Sequence, residues 1–269
     1  MFMTAIKQAK TRYSDAFYFY ANDEIIGRSI DVYGEYSQFE VDFLLSFLGK
    51  DTVVYDIGAN IGYHTHAFAS RAGRVISFEP HPRTFQMLTK NTEHLPNVTR
   101  FNLAVSNFTG RSKCLDYNID VGGNYGAVSV DSENGVLEIE CVSLEQVNTS
   151  LPDLIKIDVE GSEFAVIQGC MEIIKKKHPV VYYEAHETVH LKEIYQLLSP
   201  FPYKFYWVPV RNFNPDNFNK QTQNIFGDST LHSIVAWPDY LPELELWPVQ
   251  DADDTLEKLY TRLGKNYHR

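Results

Sequence analysis

Cysteine is scarce: Cys114, Cys141 and Cys170 are the only three in 269 residues. They lie far apart, with none of the C-x-x-C spacing of a zinc ribbon or redox pair. A disulfide framework is therefore excluded, and reduced thiols of a cytoplasmic protein are expected. No stretch approaches the ~18 consecutive apolar residues of a membrane span. The opening M-F-M-T-A-I-K-Q-A-K lacks the apolar run of a signal peptide, so no membrane partner is expected. Positive charge is also short. The 24 Lys and Arg against 35 Asp and Glu leave a net charge of −11, which argues against a nucleic-acid partner bound through its phosphates. Glycine/serine linkers, repeats and low-complexity tracts are missing as well. One domain over 1–269 is expected, with a hairpin and helix in 1–50, a core in 51–240 and an extension in 241–269. The hydrophobic content of 44% is ample for that core.

What the chain does have is V53-V-Y-D-I-G-A-N-I-G62. A short buried strand meets Asp56 at its carboxyl end, then Gly58, Asn60 and Gly62, then a helix-like segment. A dinucleotide site wants G-x-G-x-x-G. Here the spacing is D-x-G-x-x-x-G, and an acid in the turn repels a pyrophosphate but suits the ammonium of an amino-acid ligand. The strand-like V75-I-S-F78 ends in Glu79, where a carboxylate can hold ribose hydroxyls. An acid with a glycine loop, followed by an acid after the second strand, reads as a pocket for S-adenosylmethionine. Asp56 and Gly58 are expected to face its methionine part and Glu79 its ribose. Asn102, Leu103 and Ala104, ending the third strand, are expected beside the adenine.

A second motif, I155-K-I-D-V-E-G-S-E163, places Asp158 at the carboxyl end of another buried strand, with Glu160 and Glu163 beyond. Ser162 and Glu163 suit a helix N-terminus; Asp158 and Glu160 point instead to a cation or a proton. Near-continuous apolar strands alternating with helices imply a mostly parallel α/β sheet. Residues 105–145 break the rhythm as an inserted hairpin. Residues 12–33 read as a small hairpin, through A16-F-Y-F-Y20 and E24-I-I-G27. Ser37 and Glu40 match a capping box for a helix from 38. The aromatic load of 201–218 suits core and turn packing.

The pairing of V-V-Y-D-I-G-A-N-I-G, I-S-F-E-P and L-I-K-I-D-V-E-G-S-E resembles the FkbM-type family of S-adenosylmethionine-dependent methyltransferases, over about 33–184. His64 departs from the aromatic residue expected of that family. The resemblance implies a class I methyltransferase fold: a Rossmann-like, mostly parallel seven-stranded sheet with helices on both faces, closing on an antiparallel strand near 231–237. It also implies O-methylation of a hydroxyl on a sugar, glycan or natural product, with Asp158 also near the cofactor.

V181-Y-Y-E-A-H-E-T-V-H190 offers two further readings. His186 to His190 spell H-E-x-x-H, a zinc-hydrolase pattern when both imidazoles share a helix face. The motif follows a strand directly and lacks a third ligand pattern, so no metal is expected. The other reading makes His186 a general base beside Asp158, since an imidazole titrates near working pH. Asp158 and Glu160 are the alternative bases. A divalent cation on Asp158 and Glu184, or a non-catalytic nucleoside-binding protein, are the remaining variants.

Overall fold

The computed structural model describes residues 6–126, 130, 134–147, 149–185, 190–227 and 229–264. At the N-terminus Ile6–Ala9 (β1) pairs antiparallel with Phe17–Tyr20 (β2). The expected hairpin partner at 24–27 is instead the start of a helix, Ile26–Tyr33 (α1). Ile26, Ile30 and Tyr33 recur at i, i+4 and i+7 and are all buried, so the longer helical pattern overrides the short run of isoleucines. Gln38–Leu45 (α2) follows as expected. Ser37 does not form a capping box, however. It has φ 47°, and its hydroxyl donates to the Glu40 carboxylate at 2.8 Å without accepting from a helix N–H.

The centre is built from Val53–Ile57 (β3), Tyr63–Ala69 (α3), Arg74–Phe78 (β4), Pro82–Thr92 (α4) and Val98–Phe101 (β5). An inserted three-stranded sheet comes next, in which Leu137–Val142 (β8) lies between Ala104–Val105 (β6) and Gly110–Cys114 (β7). The antiparallel β7–β8 pair is the hairpin expected near 105–145. Leu154–Ile157 (β9), Glu163–Gly169 (α5), Met171–Lys177 (α6), Val180–Glu184 (β10) and Leu191–Leu198 (α7) resume the alternation. The chain closes with Tyr203–Arg211 (β11), Thr230–Pro238 (β12), Trp247–Pro248 (β13) and Leu256–Arg262 (α8).

The main sheet has eight strands in the order β13-β11-β12-β10-β9-β3-β4-β5, not the expected seven. The extra strand is the two-residue β13, too short to carry an alternating pattern. Strands β10, β9, β3, β4 and β5 are parallel neighbours; β12, β11 and β13 add on antiparallel. Side chains alternate between faces. Val54, Val75, Leu154, Tyr182 and Val235 face β2 and α1–α4, while Tyr55, Ile76, Ile155, Val181 and Ile234 face α5–α8. Covering both faces explains why the central strands read as unbroken apolar runs. Among the described residues, no helix is long and apolar enough to cross a membrane.

One buried group in this scaffold sets a pH limit on stability. Both ring nitrogens of His66 in α3 lack hydrogen-bond partners among the described residues, and its ring packs near Phe17 and His94. Burial, aided by His94, pushes its pKa down to about 4. The unfolded chain takes up this proton near the ordinary value of 6.5 and the folded chain does not. The contribution is therefore complete above pH 6.5 and is lost as pH falls toward 4, by roughly 3 kcal/mol. Urea unfolding of wild type and His66→Leu at several pH values is expected to show a gentler acid loss in the variant; parallel slopes would contradict it.

Candidate functional site

A cavity of about 300 Å³ opens at the carboxyl ends of the parallel strands. Strand order sets the sequence of groups along it: Leu103 and Ala104 after β5, Glu79 after β4, Gly58 and Asn60 after β3, Asp158 and Glu160 after β9, Glu184 on β10, Ser233 on β12. Glu79 is held by the backbone: its two oxygens accept from His81 N–H at 2.9 Å and Asn60 N–H at 3.0 Å. Burial pushes its pKa up to about 7; the two amides oppose this, and Asp56 and Asp158 add to it.

The glycine loop works differently from its expected role. Gly58 has φ +78°, and a Cβ there would sit 1.8 Å from the Asp158 carbonyl oxygen. Its freedom is demanded by the neighbouring strand's exit as much as by any ligand. Gly62 is not in the cavity lining; a Cβ would meet Leu88 Cδ1 at 2.7 Å, so it lets α3 pack on α4. Asp56 is also withdrawn. It is fully buried, accepts from Thr65 Oγ1 at 2.5 Å, and lies 3.8 Å from Lys156 Nζ. It anchors the strand and does not face the cavity. Asn102 is exposed, with its amide spent on the Glu79 and Pro80 carbonyls, while Leu103 and Ala104 do line the cavity.

At β9 the motif D-V-E-G forms a tight turn with two left-handed residues, Glu160 (φ 52°) and Gly161 (φ 95°). Glu163 closes the turn by accepting from Val159 and Gly161 N–H, and Ser162 makes no side-chain cap. The carboxylate oxygens of Asp158, Glu160 and Glu184 then lie within 4.8 Å of one another. Lys156, 2% exposed, reaches Asp158 at 3.0 Å. Burial disfavours the Asp158 charge, but Lys156 and a hydrogen bond from Glu184 hold its carboxyl below the ordinary range. Sequence reasoning passed over Lys156, although a lysine inside L-I-K-I, a strand otherwise apolar, was the available signal.

His64 and Glu40 were missed as a pair. From the first turn of α3, His64 Nε2 meets Glu40 Oε2 of α2 at 3.0 Å, and both residues line the cavity. The ring is fenced edge-on by Tyr36 and Tyr63. Burial works against the Glu40 charge, yet His64 keeps its carboxyl below the ordinary value. An ionised carboxylate only accepts, so Nε2 carries the proton that faces Glu40, and any base work by the ring falls to Nδ1. The residues are 24 apart in sequence, and only the packing of α2 on α3 reveals them.

His186, the base expected from the sequence, lies outside the described residues, as does Glu187. His190 is the exposed N-cap residue of α7, with its ring against Phe164 and Nδ1 3.6 Å from Glu193.

Comparison with known proteins adds three findings. The family model described as the methyltransferase FkbM domain matches residues 56–205. Hexuronic acid methyltransferase AglP of Haloferax volcanii is 31% identical over 181 residues, covering 65% of this chain and 72% of that protein. Among solved structures, M. jannaschii TYW2 in complex with AdoMet superposes with a TM-score of 0.50 at 12% identity, over 87% of this chain and 86% of that one, which shows a shared fold. Methyltransferase FkbM from Methylobacillus flagellatus KT gives a TM-score of 0.48 at 18% identity, over 70% of this chain but only 44% of that longer one.

Proposed function

The chain belongs to the FkbM family of methyltransferases, whose cofactor is S-adenosylmethionine, and we propose that it methylates a hydroxyl oxygen of a sugar or glycan. The observation that carries this reading is the continuity of the cavity lining, from Glu79 past Asp158 to the side chains of β12. The hexuronic acid named for the relative supports a sugar as the second molecule.

The residues fit the cofactor. Leu103 and Ala104 offer an apolar wall for a flat base, Glu79 an acceptor for ribose hydroxyls, and Asp158 and its neighbours a negative surface for a cation. When bound, the cofactor supplies an electrophilic methyl group on a sulfonium. The protein aligns the acceptor hydroxyl with that methyl, where orientation supplies much of the rate. His64 Nδ1 takes the hydroxyl proton, and the Glu40 carboxylate steadies the charged ring that results. Asp158 and Glu160 favour binding of the positive cofactor more than the transfer, because that charge is lost in the transition state.

Two measurements test the assignment. Isothermal titration is expected to show binding of S-adenosylmethionine but not NAD, and Glu79→Ala to weaken it by ~1.5–3 kcal/mol. Only the ionised carboxylate accepts both ribose hydroxyls, and Glu79 titrates at about 7. Affinity should therefore level off above that pH and fall below it, by about tenfold per unit. Glu79→Gln should abolish this dependence. An unchanged affinity in Glu79→Ala would remove the ribose contact.

A further inference from the structure

The charge and hydrogen-bonding character of the cavity discriminate among sugars. Resting on the reading above, we propose that the acceptor is an uncharged hexose-type ring and that the corresponding uronate is refused. The acceptor would thus differ in charge from the hexuronic acid named for the relative.

The acidic groups come first. Beyond the cofactor's half, the lining carries Glu160 and Glu184, whose oxygens lie within 4.8 Å of each other and of Asp158. Lys156 is the one lysine or arginine among the described lining residues. It is 2% exposed and already engaged, 3.0 Å from Asp158 and 3.8 Å from Asp56. The undescribed residues that adjoin the lining in sequence, 127–129, 131–133, 186–189 and 228, contain no lysine or arginine. Even with one proton shared between Asp158 and Glu184 and one net positive charge on the bound cofactor, acid remains in excess. A carboxylate brought to this range meets unscreened repulsion in place of a counter-ion.

The second observation is independent of net charge. Asn212, at the end of β11, donates its Nδ2 to Ser229 Oγ at 2.9 Å and lines the cavity. Its Oδ1 is buried with no hydrogen-bond partner among the described residues, which is costly unless a donor arrives. The Glu160 and Glu184 carboxylates add further acceptor oxygens to this wall. This wall asks for O–H donors. The hydroxyls of a neutral pyranose supply them, whereas a carboxylate brings only further acceptors. Leu231 and Tyr36 offer apolar surface for the C–H face of a ring.

The test begins with titration of S-adenosylhomocysteine into the chelator-treated protein; failure to bind sinks the methyltransferase reading itself. Saturation-transfer NMR on that complex then compares matched pairs: methyl glucoside with methyl glucuronide, and the galacto and manno equivalents. The neutral member is expected to bind at least about tenfold more tightly in each pair that binds. The double variant E160Q/E184Q is expected to narrow the gap to about threefold or less. A uronide that binds as well as its neutral partner overturns the proposal. So does silence from every neutral member in protein that binds S-adenosylhomocysteine. Uronide binding that appears on adding magnesium would also overturn it, by showing that the carboxylates work through a cation.

Discussion

Replacing His64 with alanine is expected to slow methyl transfer by ~10²–10⁴-fold, the usual contribution of a positioned base. S-adenosylmethionine affinity should change far less, because the imidazole acts on the acceptor's proton. Glu40→Gln keeps an oxygen able to accept from Nε2 but removes the charge that steadies the protonated ring. It should fall between wild type and His64→Ala. His186→Ala is the control. If it alone reproduces the loss, and His64→Ala stays within about threefold of wild type, the base is His186 and the His64–Glu40 pair is a packing contact.

Lys156→Met is expected to cost the fold ~3–5 kcal/mol, because it leaves the Asp56 and Asp158 carboxylates without their shared counter-charge. Asp56 lies within β3 and is completely buried, while Asp158 follows β9 at the cavity and is partly exposed. The loss has a pH signature. Lys156 holds the Asp158 carboxyl below its ordinary range against the effect of burial, so without the ammonium the deficit is greatest at neutral and alkaline pH. It shrinks as pH falls and Asp158 takes up its proton. Adding Asp158→Asn should recover part of the stability, and chemical denaturation of the single and double variants measures how much. A single variant as stable as wild type at pH 8 would show that the charges are relieved by other means.

The parallel half of the sheet was legible because burial on both faces leaves an unbroken apolar signature, as in V53-V-Y and L154-I-K-I. The acids at the strand ends were legible too, and Glu79, Asp158 and Glu160 do line one cavity. Less could be read where a side chain's partner is distant in sequence. Asp56 looks like a ligand group until Thr65 and Lys156 are seen to enclose it. Gly58 and Gly62 look like room for a ligand, but the atoms that would clash belong to Asp158 and Leu88. His64 looked like a departure from the family pattern until Glu40 supplied its meaning. The helix at 26–33 was hidden for another reason: a four-residue window sees isoleucines, and eight residues are needed to see a stripe.

The placement of β12 governs the order in which this protein can be born. Strands made early, β3 to β10, add side by side as they leave the ribosome, but β11 cannot join them on arrival. Its seat beside β10 belongs to β12, whose residues 230–238 are synthesised later and pair with both. Until then nascent β10 keeps one edge of unpaired N–H and C=O groups, and β11 waits without its inner neighbour. Ser233, Leu231 and Ser229, which finish the far wall of the cavity, arrive with that later strand and the segment before it. The nucleoside end can thus take shape on a growing chain, while the acceptor end is completed only after β12 has been made. That delay also exposes a sticky edge for a chaperone, or a second nascent copy, to find.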